Sequence, residues 1–174
     1  DPQTIDIYMN ILKEHGVDPA MVEIELTETA VVSEYKSVRK LFDSFQMHGI
    51  KTAMDDFGSG YSVLNTIVDI PVDVIKIDRG FITSCLETDR GIYFLKHLIA
   101  MIQNLGYQII CEGVETDEQI EILRQIGCDE IQGYWYSKPL PMEDYKELLQ
   151  TEKISKGGGK TSKQAKSPKI YVRQ

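Results

Sequence analysis

A unit made of a helix, a glycine, a short apolar strand and a polar residue recurs along this chain, and it constrains the fold more than any other feature. The unit occurs four times between residues 5 and 132. In the second copy, apolar residues at helical spacing cover 38–45, Gly49 follows, and a strand runs over 51–55. Strands that alternate with helices in this way predict parallel βα units with right-handed crossovers.

Polar side chains stand at the carboxyl ends of five predicted strands, namely Glu25, Asp55, Lys76, Glu112 and Gln132. A (β/α) barrel builds its active site at this end. A doubly wound sheet also binds ligands there, but it concentrates its site at one switch point. Because five strands contribute, we predict an α/β fold of the TIM-type (β/α) barrel class. Residues 1–152 supply about six βα units, so we expect the barrel to be incomplete.

Two adjacent carboxylates, Asp55 and Asp56, stand where the second strand enters a glycine-bearing loop over residues 57–62. Side chains alternate along a strand, so we expect the two to point to different sides of the chain. Carboxylates and an amide from neighbouring strand ends can form an oxygen-rich site for Mg²⁺ or Mn²⁺. The alternative interpretation of the dipeptide alone is a solvated turn before glycines.

The remaining strand-end residues suit phosphate chemistry. Lys76 could stabilise phosphate charge or help to activate a water, and Glu112 could orient or deprotonate that water. Gln132 could complete the water network. Each also has a structural interpretation: Lys76 as a buried lysine paired with Asp55 or Glu112, Glu112 as a strand-end carboxylate paired with Lys76, and Gln132 as a polar cap of the barrel.

Charge is distributed unevenly over the 174 residues, whose net charge is −8. Residues 1–152 hold 12 of the 19 basic residues and all 27 acidic ones, a balance of −15. Such an acidic body argues against binding to a nucleic-acid polymer. Residues 153–174 are basic, contain three consecutive glycines and lack apolar periodicity, so we predict a disordered tail there after a domain over 1–152.

The three cysteines, Cys85, Cys111 and Cys128, show no CxxC spacing. They predict buried, reduced thiols of a cytoplasmic protein rather than a disulfide framework or a zinc site. No apolar run reaches the length of a transmembrane helix, so we expect no membrane segment.

Four ordered segments resemble the EAL-domain cyclic-di-GMP phosphodiesterases, which are TIM-barrel enzymes. They are Glu25-Leu26-Thr27-Glu28; Asp55-Asp56-Phe57-Gly58-Ser59-Gly60-Tyr61-Ser62; Pro71-Val72-Asp73 through Lys76-Ile77-Asp78-Arg79; and Glu112-Gly113-Val114-Glu115-Thr116 with Gln132-Gly133-Tyr134 and Lys138-Pro139-Leu140. Together they span about residues 5–145, and several ordered motifs at matching spacing make the resemblance specific.

The resemblance implies a role for each matching residue. It implies that Glu25, Asp55 and Asp56 are metal ligands. It implies that Lys76 is catalytic, that Glu112 is the general base and that Gln132 is an amide that positions the water. Glu28 would anchor the loop 57–62, and Glu115 would support the site. It also implies Mg²⁺ or Mn²⁺, with a two-metal site in the complete domain, and hydrolysis of cyclic-di-GMP to linear pGpG. The partners implied are a second copy of the chain, in a homodimer, or upstream domains of a larger protein.

The sequence also departs from the family pattern. No Glu-Ala-Leu triplet occurs in it, and the resemblance begins after the second strand of the pattern. The first-strand glutamate and second-strand asparagine ligands therefore have no counterpart, and residues 1–152 correspond to the C-terminal two-thirds of the domain. A second hypothesis is a catalytically inactive module that binds cyclic-di-GMP or another protein. A third is a different metal-dependent barrel enzyme that uses Lys76 as a base.

Overall fold

A computed structural model of the chain describes residues 2–59, 67–68, 70–150 and 169–170. Its strands form one sheet in sequence order, and each neighbouring pair is parallel. The strands are β1 (Glu23–Thr27), β2 (Lys51–Phe57), β3 (Val74–Ile77), β4 (Gln108–Cys111), β5 (Glu130–Ile131) and β6 (Lys169–Ile170). Sequential order with parallel pairing is the arrangement of a (β/α) barrel, as the repeated unit predicts, and within the described ranges the first strand does not pair with the last.

Helices connect the strands. They are α1 (Pro2–His15), α2 (Glu28–Ser33), α3 (Tyr35–Met47), α4 (Arg79–Leu86), α5 (Asp89–Asn104), α6 (Asp117–Ile126) and α7 (Met142–Gln150), with a 3₁₀ turn at Pro19–Met21. In the described part of the chain, no helix has both the length and the apolar character needed to cross a membrane.

Local side chains decide where the helices begin and end. Thr116 and Gln119 form a capping box, and it opens α6. Gly127 ends that helix in the left-handed conformation at φ 91°, which glycine adopts without steric cost. The predicted glycines after α1, α3 and α5 also have positive φ.

Two short helices after strands were not predicted from the sequence. The first strand ends at Thr27, whose Oγ1 accepts a hydrogen bond from Ala30 N at 3.4 Å. Thr27 thereby caps α2, and Glu28 becomes the first residue of that helix. Asp78 caps α4 in the same way by accepting a hydrogen bond from Gly80 N at 2.8 Å.

The two faces of the sheet bury different side chains. On the outer face, Met54, Ile75 and Ile109 belong to the main core, which the sheet forms with the helices. Ala53, Val74 and Ile110 form a separate small cluster on the inner face, here called the apolar floor. The predicted site residues of β2, β3 and β4 lie two positions further along their strands, so they stand just above this floor.

Aspartates secure the strand register at the opposite, amino end of the sheet. Asp73 precedes β3, and its Oδ2 accepts hydrogen bonds from Thr52 N at 2.9 Å and from Thr52 Oγ1 at 3.1 Å. Asp129 precedes β5, and its Oδ2 accepts a hydrogen bond from Ile109 N at 3.1 Å. We call Asp73 and Asp129 the aspartate clamps, because each ties its own strand to the preceding strand.

Some predictions fall on residues outside the described ranges. The loop over residues 57–62 is described only as far as Ser59. The disordered tail predicted over 153–174 lies outside them as well, except for Lys169–Ile170, whose backbone pairs with β5. Cys85, Cys111 and Cys128 are buried free thiols, as predicted.

We predict that replacing a clamp destabilises the fold. Asp73→Ala leaves the backbone N–H of Thr52, a fully buried residue, without its carboxylate acceptor. The free energy of unfolding should fall by about 1–3 kcal/mol, measured by urea denaturation. Asp43→Ala, at an exposed position of α3, is the control and should change it by no more than about 0.5 kcal/mol. Equal stability of the two variants would contradict a clamping role.

Candidate active site

The centre of the site is the ammonium group of Lys76, which lies among three carboxylates from three strand ends. Lys76 Nζ is 2.7 Å from Glu25 Oε1, 2.7 Å from Glu112 Oε1 and 3.6 Å from Asp55 Oδ1. The Lys76 side chain is only 1% exposed, whereas that of Glu25 is 30% exposed. The predicted ion pairs of Lys76 with Asp55 and Glu112 are therefore present, and Glu25 joins them.

The carboxylates keep Lys76 charged. Burial by itself lowers the pKa of this lysine, because it disfavours the charged form. Hydrogen bonds to Glu112 and Glu25, together with the charges of Glu112 and Asp55, outweigh burial and raise the pKa above its ordinary value of 10.5. A raised pKa favours the protonated form of Lys76, which suits the stabilisation of phosphate charge better than the role of a base.

Asp55 and Asp56 lie at an irregularity of β2. Met54 pairs with Ile75 and Phe57 with Ile77, so β2 contains one residue more than β3 over this stretch. Asp56 adopts φ 58° there, in the left-handed region that aspartate tolerates better than most residues. The bulge falls on the two residues whose side chains strand alternation is expected to point to different sides of the chain.

Glu28 contacts the start of the loop that it was predicted to anchor. Its Oε2 accepts a hydrogen bond from Gly58 N at 2.9 Å, and the residue is only 4% exposed. This bond ties the first turn of α2 to the loop that follows β2. It therefore links two neighbouring strand ends at the mouth of the site.

A cavity of about 240 Å³ lies beside the carboxylate cluster, beyond the ends of β4 and β5. Glu112 and Gln132, two of the predicted catalytic residues, both line it. Glu115 lines it as well, but its partner is Arg79, whose Nη1 lies 2.7 Å from Glu115 Oε1. The structure thus brings Glu25, Asp55, Lys76 and Glu112 into one cluster and places Gln132 and Glu115 around the adjoining cavity.

Four lining residues of this cavity were given no role in the sequence analysis, namely Arg79, Gly113, Gly133 and Tyr134. All of them lie within the motifs that carry the family resemblance. Their position just after the predicted strands could have marked them as site residues, because loops at the carboxyl ends of barrel strands form the active site.

The donor chemistry of the cluster suits a hard divalent cation, because carboxylate oxygens are the ligands that Mg²⁺ and Mn²⁺ prefer. The arrangement of these carboxylates, however, does not form a complete set of metal ligands. Glu25 and Asp55 converge on the ammonium of Lys76, and the described residues include no group of three or more His, Cys, Asp or Glu arranged to hold a metal ion. These residues therefore fit part of a coordination shell.

Comparison with known proteins identifies the family. The family model of the EAL domain matches residues 1–139. Among curated proteins, the chain is 34% identical over 145 residues to the cyclic di-GMP phosphodiesterase NbdA of Pseudomonas aeruginosa, covering 83% of this chain and 18% of NbdA. The chain spans only 16–20% of the length of the first curated relatives that it matches.

Solved structures agree with this assignment. The EAL domain of Mycobacterium smegmatis DcpA superposes with a TM-score of 0.76 at 34% identity, over 83% of this chain and 65% of that one. Klebsiella pneumoniae BlrP1, in a complex with manganese and cyclic-di-GMP, superposes with a TM-score of 0.73 at 30% identity, over 79% of this chain and 35% of that one. From the matched residues and the shared fold together, the chain belongs to the EAL domain family.

Proposed function

We propose that this chain carries the catalytic strand ends of a metal-dependent phosphodiesterase that hydrolyses cyclic-di-GMP to linear pGpG. The observation that carries the proposal is the Lys76 ammonium held by carboxylates from three strand ends, in a chain of the EAL family. NbdA is named for activity on this substrate, and BlrP1 was solved with it, which supports the choice of substrate.

Each residue of the cluster has a role in that hydrolysis. Glu112 accepts a proton from the attacking water as a bond forms between the water oxygen and phosphorus. The ion pair with Lys76 orients Glu112, and the charge of Lys76 stabilises the negative phosphate. Gln132 orients the water. The ester bond to the ribose oxygen breaks, and that oxygen takes up a proton from solvent water as the ring opens.

Glu25, Asp55 and Asp56 would hold the divalent cations. When bound, Mg²⁺ or Mn²⁺ would lower the pKa of a coordinated water and stabilise phosphate charge. The manganese in the BlrP1 complex supports a divalent metal of this kind. Glu28 would keep the loop after β2 in place through Gly58, and Glu115 would support the loop after β4. Homodimer formation remains a prediction.

We expect the purified chain, supplied with Mn²⁺ or Mg²⁺, to convert cyclic-di-GMP to pGpG slowly, because the first-strand glutamate and second-strand asparagine ligands have no counterpart in it. Chromatography follows the product. A chelator should abolish turnover. Asp55→Asn should also abolish it, because the amide removes a negative charge next to Lys76 and the proposed metal. Asp43→Asn, at an exposed position of α3, makes the same chemical change elsewhere and should leave the rate unchanged.

A folded chain that binds cyclic-di-GMP without cleaving it would contradict the proposal and favour the inactive binding module. Product formation that persists in Asp55→Asn would show that the activity comes from another source. Turnover of a carboxylate substrate, with none of cyclic-di-GMP, would favour the third hypothesis.

Glu112 and Lys76 are expected to act on the chemical step rather than on substrate binding. Glu112→Gln should lower kcat by roughly 10²–10⁴-fold, the range for loss of a general base. Lys76→Met should lower kcat by about 10²–10³-fold, because it removes a charge aimed at the reacting phosphate. Steady-state kinetics with KM close to that of the wild type would support both roles, whereas a raised KM with normal kcat would contradict them.

A further inference from the structure

An ion pair links the loops that follow two of the proposed catalytic residues. Arg79 comes three positions after Lys76 and opens α4, and Glu115 comes three positions after Glu112. Arg79 Nη1 lies 2.7 Å from Glu115 Oε1, with the two side chains 57% and 36% exposed. The pair therefore joins the strand ends of β3 and β4 a second time, outside the buried contact between Lys76 and Glu112.

The stem of Arg79 packs directly on the backbone next to Glu112. Gly113 has φ +67°, and a Cβ built there would lie 2.4 Å from both Cβ and Cγ of Arg79. Any side chain at this position would collide with the arginine. The side-chain stem of Arg79 thus packs on Gly113, the residue that directly follows Glu112.

The same segment is held from its other side by the loop after β5. Val114 N donates a hydrogen bond to Gln132 O at 3.1 Å, and Trp135 N donates one to Val114 O at 3.0 Å. Glu112 N itself donates to Ile77 O at 3.0 Å. The loop after β4 is therefore fixed by backbone hydrogen bonds toward β5, and Arg79 contacts it from the β3 side.

We propose that Arg79 is a positioning residue. Its packing on Gly113 and its ion pair with Glu115 fix the loop after β4, and this loop holds Glu112 in place for the reaction. The inference rests on the proposed function, since it assigns Glu112 a catalytic role. A partly exposed ion pair contributes little to global stability, so its effect is local. A small misplacement of a catalytic group costs far more in rate than in stability.

The deciding measurement is amide hydrogen exchange on the full chain. In Arg79→Ala, exchange of the hydrogen-bonded amides of Glu112 and Val114 should accelerate by about two- to fivefold, as expected for loss of one partly exposed ion pair. Arg79→Lys, which keeps the charge and most of the stem, should restore much of the protection.

Arg124→Ala provides the matched control. Arg124 pairs with Glu121 on α6 at 3.0 Å, with side chains 48% and 56% exposed. This variant should leave the exchange of Glu112 and Val114 unchanged, and both alanine variants should unfold at the same urea concentration as the wild type. Unchanged exchange in Arg79→Ala, or an equal acceleration in Arg124→Ala, would overturn the inference.

Kinetics separates positioning from substrate contact. Where the wild type turns over cyclic-di-GMP, Arg79→Ala should lower kcat roughly tenfold with KM unchanged. A raised KM with normal kcat would make Arg79 a substrate-binding residue and would refute positioning. If the wild type is inactive, the proposed function fails, and the exchange experiment still decides whether Arg79 fixes the loop.

Discussion

Lys76 holds its ammonium group almost wholly out of water, and the cost of that burial governs the arrangement of the strand ends. A buried charge is tolerated only when opposite charges and hydrogen bonds surround it. Glu25, Asp55 and Glu112 meet that need: Glu25 lies on β1, Asp55 lies on β2, and Glu112 directly follows β4. The converse also holds, because three carboxylates gathered at one end of a sheet would repel one another without the ammonium between them.

The apolar floor explains why this charged cluster forms at one level of the sheet. Ala53, Val74 and Ile110 fill the inner face below it and exclude water from that side. Asp55, Lys76 and Glu112 come two positions after these residues, so their side chains lie just above the floor and contact one another there. The cluster is thus closed from beneath and approached from the loops, which is the direction from which a substrate would enter.

Much of this arrangement could be predicted from the sequence, because it follows from periodicity. Alternating helices and strands predict parallel pairing, and parallel pairing brings Asp55, Lys76 and Glu112 to one end. The bulge at Asp56 could not be predicted in the same way, since an extra residue in β2 becomes visible only against the register of β3. The role proposed for Arg79 could not be predicted either, because it depends on a tertiary contact, the packing of Arg79 on Gly113.

The aspartate clamps separate two demands that many folds place on the same residues. Asp73 and Asp129 define strand register at the amino end, while the chemistry belongs to the carboxyl end. Mutations of the side chains at the carboxyl ends of the strands therefore leave the aspartate clamps intact, and these continue to hold the strands in register. In evolutionary terms, such a sheet can exchange one set of reactive side chains for another without first losing its alignment, so new specificities can arise through intermediates that still fold.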